Sequence, residues 1–537
     1  MRLHRLTSEQ FVQFCRQLLA LDGYKVEVQE ESLSGTVVVS DGTRKRVLFA
    51  PYHPLGPVEP SLDEIVPPIE HDEPVLLLHN FWRPLVAAED PRVEELGLSA
   101  LTTKAVAHGG LLESFATPRA LCVRSIELEN FRGFEKIELR LGESTTVLIG
   151  VNGSGKSSVL DALAMSLSWF TQRVIHNYVG NGRKPTDQDI RNGARGVGIR
   201  IVCDYWGEPV EWSLVASKRG QPAKERSDLK AIRHMIDDLY EDLSMGGESA
   251  NVPVAVSYPV NRAVLDIPRR IRKKHLFGPL ETYEEALTGG SDFRVFFEWF
   301  REREDYENEQ RVNADARFRD PELEAVRLAI SSLMSGYGGL RVQRRPQRIV
   351  LTKGSQELLV EQLSDGEKCL LALTGDLARR LALANLGAQK PLEGSGIVLI
   401  DEVELHLHPA WQRQVIPALM RTFPNCQFVV TTHSPLVLSG VDRSSVRILK
   451  DFRIAEQSPP VEGRDANAIL SELMGLPAFP EKTQKKLRVI DELIQAEKFD
   501  QARREVEELA ETMGEHDPEV VHQRSALEFL AAGIWDN

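Results

Sequence analysis

Two clusters of residues far apart in the chain have the types and spacing that phosphoryl chemistry needs. Residues 150–157 run Gly150, Val151, Asn152, Gly153, Ser154, Gly155, Lys156, Ser157, with Ser158 next. In such an octet, small residues let backbone N–H groups turn inward around an anion. Lys156 then supplies a point charge for the β- and γ-phosphates, and Ser157 offers a hydroxyl to Mg²⁺. The second cluster is Asp401-Glu402, directly after the apolar run 397–400. One carboxylate at that place holds Mg²⁺ through water, and Glu402 polarises the attacking water. Phosphoryl transfer needs positioning and charge compensation more than covalent chemistry, so these few groups suffice in outline.

The flanking residues say what must position them. Residues 145–149 are apolar and rich in β-branched types, which predicts a buried strand of a parallel sheet leading into the glycine loop. Val159, Leu160, Leu163 and Leu167 follow at helical spacing, so a helix aims its N-terminal dipole at the same anion. Residues 397–400 predict a second buried strand. A third, ending in TTHSP, delivers His433, either to sense a phosphate or as a satisfied core histidine. Leu363, Ser364, Asp365, Gly366 and Glu367 precede an apolar-striped helix, whose N-terminus is also primed for an anion. AWQRQVIPALMRTF predicts one helix after residue 408.

The chain of 537 residues is long enough for three or four domains on the length prior. It is 42% hydrophobic and 27% charged, and no apolar run reaches the ~20 residues of a bilayer span. With no secretory signal at its start, it is expected to be cytoplasmic and away from membranes. The five cysteines are scattered among apolar neighbours, as reduced core thiols are. A net charge of −14 argues against a protein coated in nucleic acid and permits a local basic groove. Arg269, Arg270, Arg272, Lys273 and Lys274 could form such a groove or a solvated helix face. Glu404, His406 and His408 alternate like metal ligands, but their loop context makes that reading the weaker one. Phe293, Phe296, Phe297 and Phe300 predict helix packing in preference to base stacking.

Residues 11–51 combine a helix bearing Phe11, Phe14, Leu18 and Leu19, a Gly23-Tyr24 turn and strands. This order resembles the Mrr-type branch of the restriction-endonuclease-like fold. Such nucleases hold metal with an Asp at one strand start and a Glu-x-Lys on the next. Here those places read Thr36 and LFAPY, while Asp41 and Lys45 fall in the turn between the strands. The module is therefore expected to bind without cutting.

From Asn130 to Pro435 the motifs, in order, resemble the ABC-type ATPases of the OLD, RecF and SMC-related group. The stretches IDEVELHLHPAWQR and TTHSPLVLSGV are particularly similar to the PtuA ATPases of Septu and retron anti-phage defence systems. The resemblance implies ATP and Mg²⁺ as cofactors. Beyond the loop residues, it implies nucleotide contacts from Arg132 in NFRGF and, across a head-to-tail dimer, from Ser364, Gly366 and Glu367. It places a Mg²⁺- and water-sensing glutamine at Gln188, and it gives Glu402 and His433 catalytic roles with Lys156. Asn130 and Arg132 read equally well as turn residues capping the hairpin that feeds the glycine loop. The Asp-x-Asp of a Toprim nuclease is absent after residue 441. Instead there is a strand, SVRILK, the stretch RDANAILSELMG, and two charged amphipathic helices, a hairpin suited to docking a partner.

The expected fold class is α/β. A degenerate Mrr-like domain spans 1–118, and an ABC-type ATPase head spans 119–440 with a mostly helical insertion at about 205–338. A helical tail spans 441–537. The expected partners are a second copy or higher oligomer and an HNH-type nuclease subunit, with a reverse transcriptase and its msDNA or other nucleic acid as a further possibility. Alternatives are a stand-alone ATP-dependent nuclease working through the N-terminal module and a RecF/SMC-like DNA-repair ATPase.

Overall fold

The computed structural model describes residues 8–21, 25–28, 34–38, 44–50, 75–79, 93–96, 101, 120–221, 226–245, 252–260, 277–288, 293–388, 390–455 and 479–531. The cluster 269–274, Asp41 and the stretch RDANAILSELMG lie outside the described residues. Two compact units emerge, residues 1–456 and 457–537.

In the first unit, helix α1 (Ser8–Leu21) buries Phe11, Phe14, Leu18 and Leu19, as its periodicity requires. Strands β1 (Lys25–Val28), β2 (Ser34–Val38), β3 (Arg44–Ala50), β4 (Val75–His79) and β5 (Val93–Leu96) form one sheet in chain order. The first three are antiparallel, and β3, β4 and β5 run parallel. Thr36 sits within β2 opposite Arg46. Lys45 lies in β3, paired with Val37, and not in the turn where the sequence pattern places it.

Strands β6 (Cys122–Glu129) and β7 (Lys136–Arg140) make the expected hairpin, and β8 (Thr145–Ile149) leads to α2 (Lys156–Ile175). Next come β9 (Gly196–Tyr205), β10 (Glu208–Ser217), α3 (Lys230–Met245) and β11 (Val254–Tyr258), then α4 (Phe293–Asn313) and α5 (Pro321–Leu333). A small sheet of β12 (Tyr337–Arg344), β13 (Gln347–Lys353) and β14 (Gln356–Leu359) precedes α6 (Asp365–Ala384) and β15 (Gly396–Ile400). The helix expected after residue 408 is split into α7 (Pro409–Gln412) and α8 (Val415–Thr422). The unit closes with β16 (Cys426–Thr431), α9 (Pro435–Leu438), β17 (Val446–Lys450) and β18 (Arg453–Ile454).

The central sheet has the order β11-β15-β16-β8-β17-β18. Its first five strands are parallel, and β18 turns back against β17. Strands β8, β15 and β16 are buried at every residue, because an interior parallel strand has no solvent face. Two expectations need correction. Strand β11, within the stretch 205–338 expected as a mostly helical insertion, belongs to this central sheet beside β15. Strand β17, assigned with the tail, pairs directly with β8 beside the glycine loop. The aromatic stripe of α4 is core: Phe293, Phe296, Phe297 and Phe300 are all buried. All five cysteines are buried thiols outside any disulfide.

In the second unit, α10 (Glu481–Gln495), α11 (Phe499–Met513) and α12 (Pro518–Ala531) share a core of Ile490, Ala502, Val506, Leu509, Val520 and Leu527. The expected hairpin gains a third helix, and Val520 and Leu527 of α12 join the apolar seam that was to be left for a partner. No described helix is long and apolar enough to cross a membrane.

Candidate functional site

Strands β8, β15 and β16 run in parallel, so their carboxyl ends, and the loops that leave them, lie at one edge of the sheet, where open α/β sheets place ligands. The loop after β8 turns through left-handed φ values of 149° at Gly150, 80° at Gly153 and 103° at Gly155. A Cβ on Gly150 would stand 2.1 Å from the Leu449 carbonyl oxygen of β17, and one on Gly155 2.4 Å from the Phe134 ring. Asn152, Gly153 and Ser157 are exposed, Ser158 is half-buried, and Ser154 is buried with no hydrogen-bond partner for its Oγ. Lys156 Nζ donates to the carbonyls of Gly150 (2.8 Å) and Val151 (3.1 Å). Burial pulls the Lys156 pKa below its ordinary value, against the charges of Asp401, Glu402 and Glu404.

The Ser157 hydroxyl donates to Asp401 Oδ1 at 3.2 Å, which joins the two chemical clusters across 244 positions of chain. Thr431, at the end of β16, donates to the same Oδ1 at 2.5 Å and accepts from the Glu402 N–H at 2.8 Å. Glu402 takes a left-handed φ of 48°, which turns the chain sharply after Asp401. The His433 N–H donates to Glu404 Oε1 at 2.6 Å, while Glu404 Oε2 is buried without a hydrogen-bond partner. A hydroxyl and a carboxylate side by side are hard oxygen donors that suit Mg²⁺, and the orphaned Ser154 and Glu404 oxygens fit a site built for polar occupants. Glu404, His406 and His408 have separate tasks: His408 Nδ1 caps α7 from Ala410 N–H at 3.3 Å, and the His406 carbonyl packs on Gly366.

Ser364 is the exposed N-cap of α6, and Glu367 closes a capping box by accepting from Ser364 N (2.7 Å) and Oγ (2.9 Å). Glu367 also accepts from Lys353 Nζ at 3.0 Å and from the Tyr337 hydroxyl. Burial pushes its pKa up, but these donors outweigh it and hold the carboxyl at about 2. Glu367 thus braces the helix start within its own chain. Among the described residues, no hydrogen bond joins residues 364–367 to the glycine loop of the same chain.

Arg132 sits in the bend of the hairpin at φ 50°. Its Nε pairs with Asp189 (3.0 Å) and its Nη1 with Asp161 on α2 (2.7 Å), so the guanidinium ties the NFRGF bend to the helix after the glycine loop. Gln188 is exposed in the turn Asp187–Asp189, and no hydrogen bond among the described residues connects it to Ser157 or Asp401. Sequence reasoning missed Thr431 and also Phe452. Asp451 and Phe452 form the β17–β18 turn at φ 48° and 59°. The Phe452 ring meets Phe134 edge to face at 5.3 Å and lies 2.2 Å from a would-be Cβ on Gly133 and 3.0 Å from one on Gly155. The available signal was the glycine at 133 and 155, each demanded by this ring or its neighbour.

A phosphate-binding loop, a strand-end Asp-Glu pair and the sheet between them define a P-loop ATPase. The AAA ATPase domain model matches residues 122–250, and a model described as an AAA domain, of the AbiEii toxin and Type IV TA system kind, matches 259–439. The chain is 29% identical over 458 residues to the Retron Ec83 probable ATPase of Escherichia coli, covering 74% of this chain and 84% of that one. It is 28% identical to the Retron Vc95 probable ATPase of Vibrio cholerae serotype O1 biovar El Tor, over 63% and 75% of the two chains. It is 26% identical to the Septu protein PtuA of Bacillus mycoides (strain KBAB4), over 66% of this chain and 45% of PtuA. The chain is an ATPase that resembles the retron ATPases and PtuA.

Proposed function

We propose that this chain is the Mg²⁺-dependent, ATP-hydrolysing subunit of a cytoplasmic anti-phage defence complex. Two copies meet head to tail, and ATP occupancy regulates a partner nuclease, of HNH type by resemblance. The observation that carries the reading is the convergence of Ser157, Asp401 and Glu402 through Thr431 beside Lys156. Lys156 and the N–H groups of the glycine loop bind the phosphates. Ser157 and Asp401 would hold Mg²⁺, which when bound offsets charge on the phosphate oxygens. Glu402 accepts a hydrogen bond from the attacking water and orients it in line. Ser364 at the exposed start of α6 is free to approach the phosphates of a second copy.

The Mrr resemblance puts Thr36 at the position of a metal-binding carboxylate, which favours a regulatory role over a cutting one. A head-to-tail dimer would bring the missing second half of each pocket. Glu402→Gln is expected to retain ATP and accumulate as a dimer on size exclusion, because the water activator is lost while Asp401 stays. Hydrolysis at the parental rate would remove Glu402 from its assigned role. Purified alone with plasmid and Mg²⁺, the chain should leave the plasmid intact; cutting that persists after removal of co-purified protein overturns the regulatory reading.

A further inference from the structure

Although the chain carries a net charge of −14, residues 341–348 contain four arginines and no carboxylate. They form the β12–β13 hairpin, where Arg341, Arg345 and Arg348 are exposed. The hairpin borders an open cavity of about 740 Å³ shared with α4 and α5, and Arg311, Arg319, Arg327, Arg341 and Arg344 all line it. That volume is in the range of pockets that hold nucleotide-sized ligands.

Carboxylates in the same wall fix several of these arginines. Glu307, fully buried, accepts from Arg327 at 3.1 Å, pairs with Arg311, and lies 3.8 Å from Arg319. Glu304 holds Arg344 at 3.0 Å. A guanidinium has five N–H donors in a planar fork, so one edge held by a carboxylate leaves donors for a second acceptor. Arg319 and Arg341, with side chains 62% and 49% exposed, pair with Glu324 (3.7 Å) and Glu357 (2.7 Å) and keep further N–H donors for a ligand. On the opposite wall the ladder slips between Gly338 and Arg341, which takes Gly339 out of one-to-one pairing. Gly338 and Gly339 both line the cavity and bring main chain to it with no side chain in the way. Preset arginine forks beside bare backbone are what phosphate oxygens require.

We propose that this cavity is a phosphate site, separate from the glycine loop, for the backbone of a single-stranded nucleic acid or for a free polyphosphate. It stands apart from the ATPase reading, because none of its residues belongs to the nucleotide site.

The test uses the full chain as Lys156→Ala, so that the glycine loop does not compete for the probes. Sodium tripolyphosphate is titrated by calorimetry and a fluorescent single-stranded oligonucleotide by anisotropy at two salt concentrations. Arg319→Glu with Arg341→Glu is expected to weaken binding about tenfold or more. Arg319→Ala with Arg341→Ala, which creates no new carboxylate, should shift it the same way, and both pairs should unfold at the parental temperature. Salt-sensitive oligonucleotide binding lost in these variants identifies nucleic acid as the source. Tripolyphosphate binding alone, lost in the same variants, identifies a free polyphosphate. Binding of neither probe, or binding that survives both substitution pairs, overturns the proposal.

Discussion

The Thr431 hydroxyl donates to Asp401 Oδ1 at 2.5 Å and accepts from the Glu402 main chain at 2.8 Å, so one buried side chain sets the spacing of both carboxylate-bearing residues. Thr431→Val keeps the shape and removes both hydrogen bonds. Turnover should fall about a hundredfold with a small change in the KM for ATP, since each of the two lost bonds to a charged or strained group costs about 1.5 kcal/mol. Steady-state kinetics check this, and an unchanged kcat would show that Asp401 and Glu402 hold their places without Thr431.

Phe452 wedges between Gly133 and Gly155, and its turn keeps two non-glycine residues in left-handed conformation. Phe452→Ala removes the edge-to-face contact with Phe134 and unsupports the glycine loop. A loss of about 2 kcal/mol in stability is expected for this half-buried ring, with weaker ATP binding. Denaturant unfolding and nucleotide titration read the two effects separately.

A Cβ on residue 366 would stand 2.1 Å from the His406 carbonyl oxygen. Gly366→Ala must therefore push the start of α6 away from the loop that follows Asp401 and Glu402. ATP turnover is expected to drop well below the parent while thermal stability falls by about 1–3 kcal/mol. Retained turnover would show that this packing does not matter to hydrolysis.

Glu322, near the start of α5, has its pKa raised from 4.5 to about 7 by burial, with Arg303 opposing and Asp320 reinforcing the shift. Between these values the folded chain binds more protons at this site than the unfolded chain, so stability falls as pH rises from 4.5 to about 7. Glu322→Gln does not titrate. Its melting temperature relative to the parent should rise across that window, and a difference independent of pH would contradict the shift.

The residues 150–157 and the pair Asp401-Glu402 are legible in the sequence because local rules carry them: fully apolar strands, glycine in a tight turn and a helix stripe. The hairpin of β6 and β7 and the aromatic face of α4 are legible for the same reason. What the sequence conceals is long-range. Whether SVRILK joins β8 or the tail depends on a pairing 299 positions away, between Val446 and Val147. Arg132 reads equally as a nucleotide contact or a hairpin-turn residue, and its ion pairs with Asp161 and Asp189 come only from long-range folding. Glu367 lies in a motif expected to contact nucleotide, and the long-range bonds from Tyr337 and Lys353, on strands upstream, are not readable from that motif.

Everything proposed about mechanism rests on a triphosphate seated at Lys156, and equilibrium binding of ATP with Mg²⁺ tests that most directly. The parent should bind saturably, and Lys156→Ala should bind about tenfold more weakly or worse, as loss of a charged phosphate contact demands. Equal affinity in parent and variant, with both folded, would contradict it.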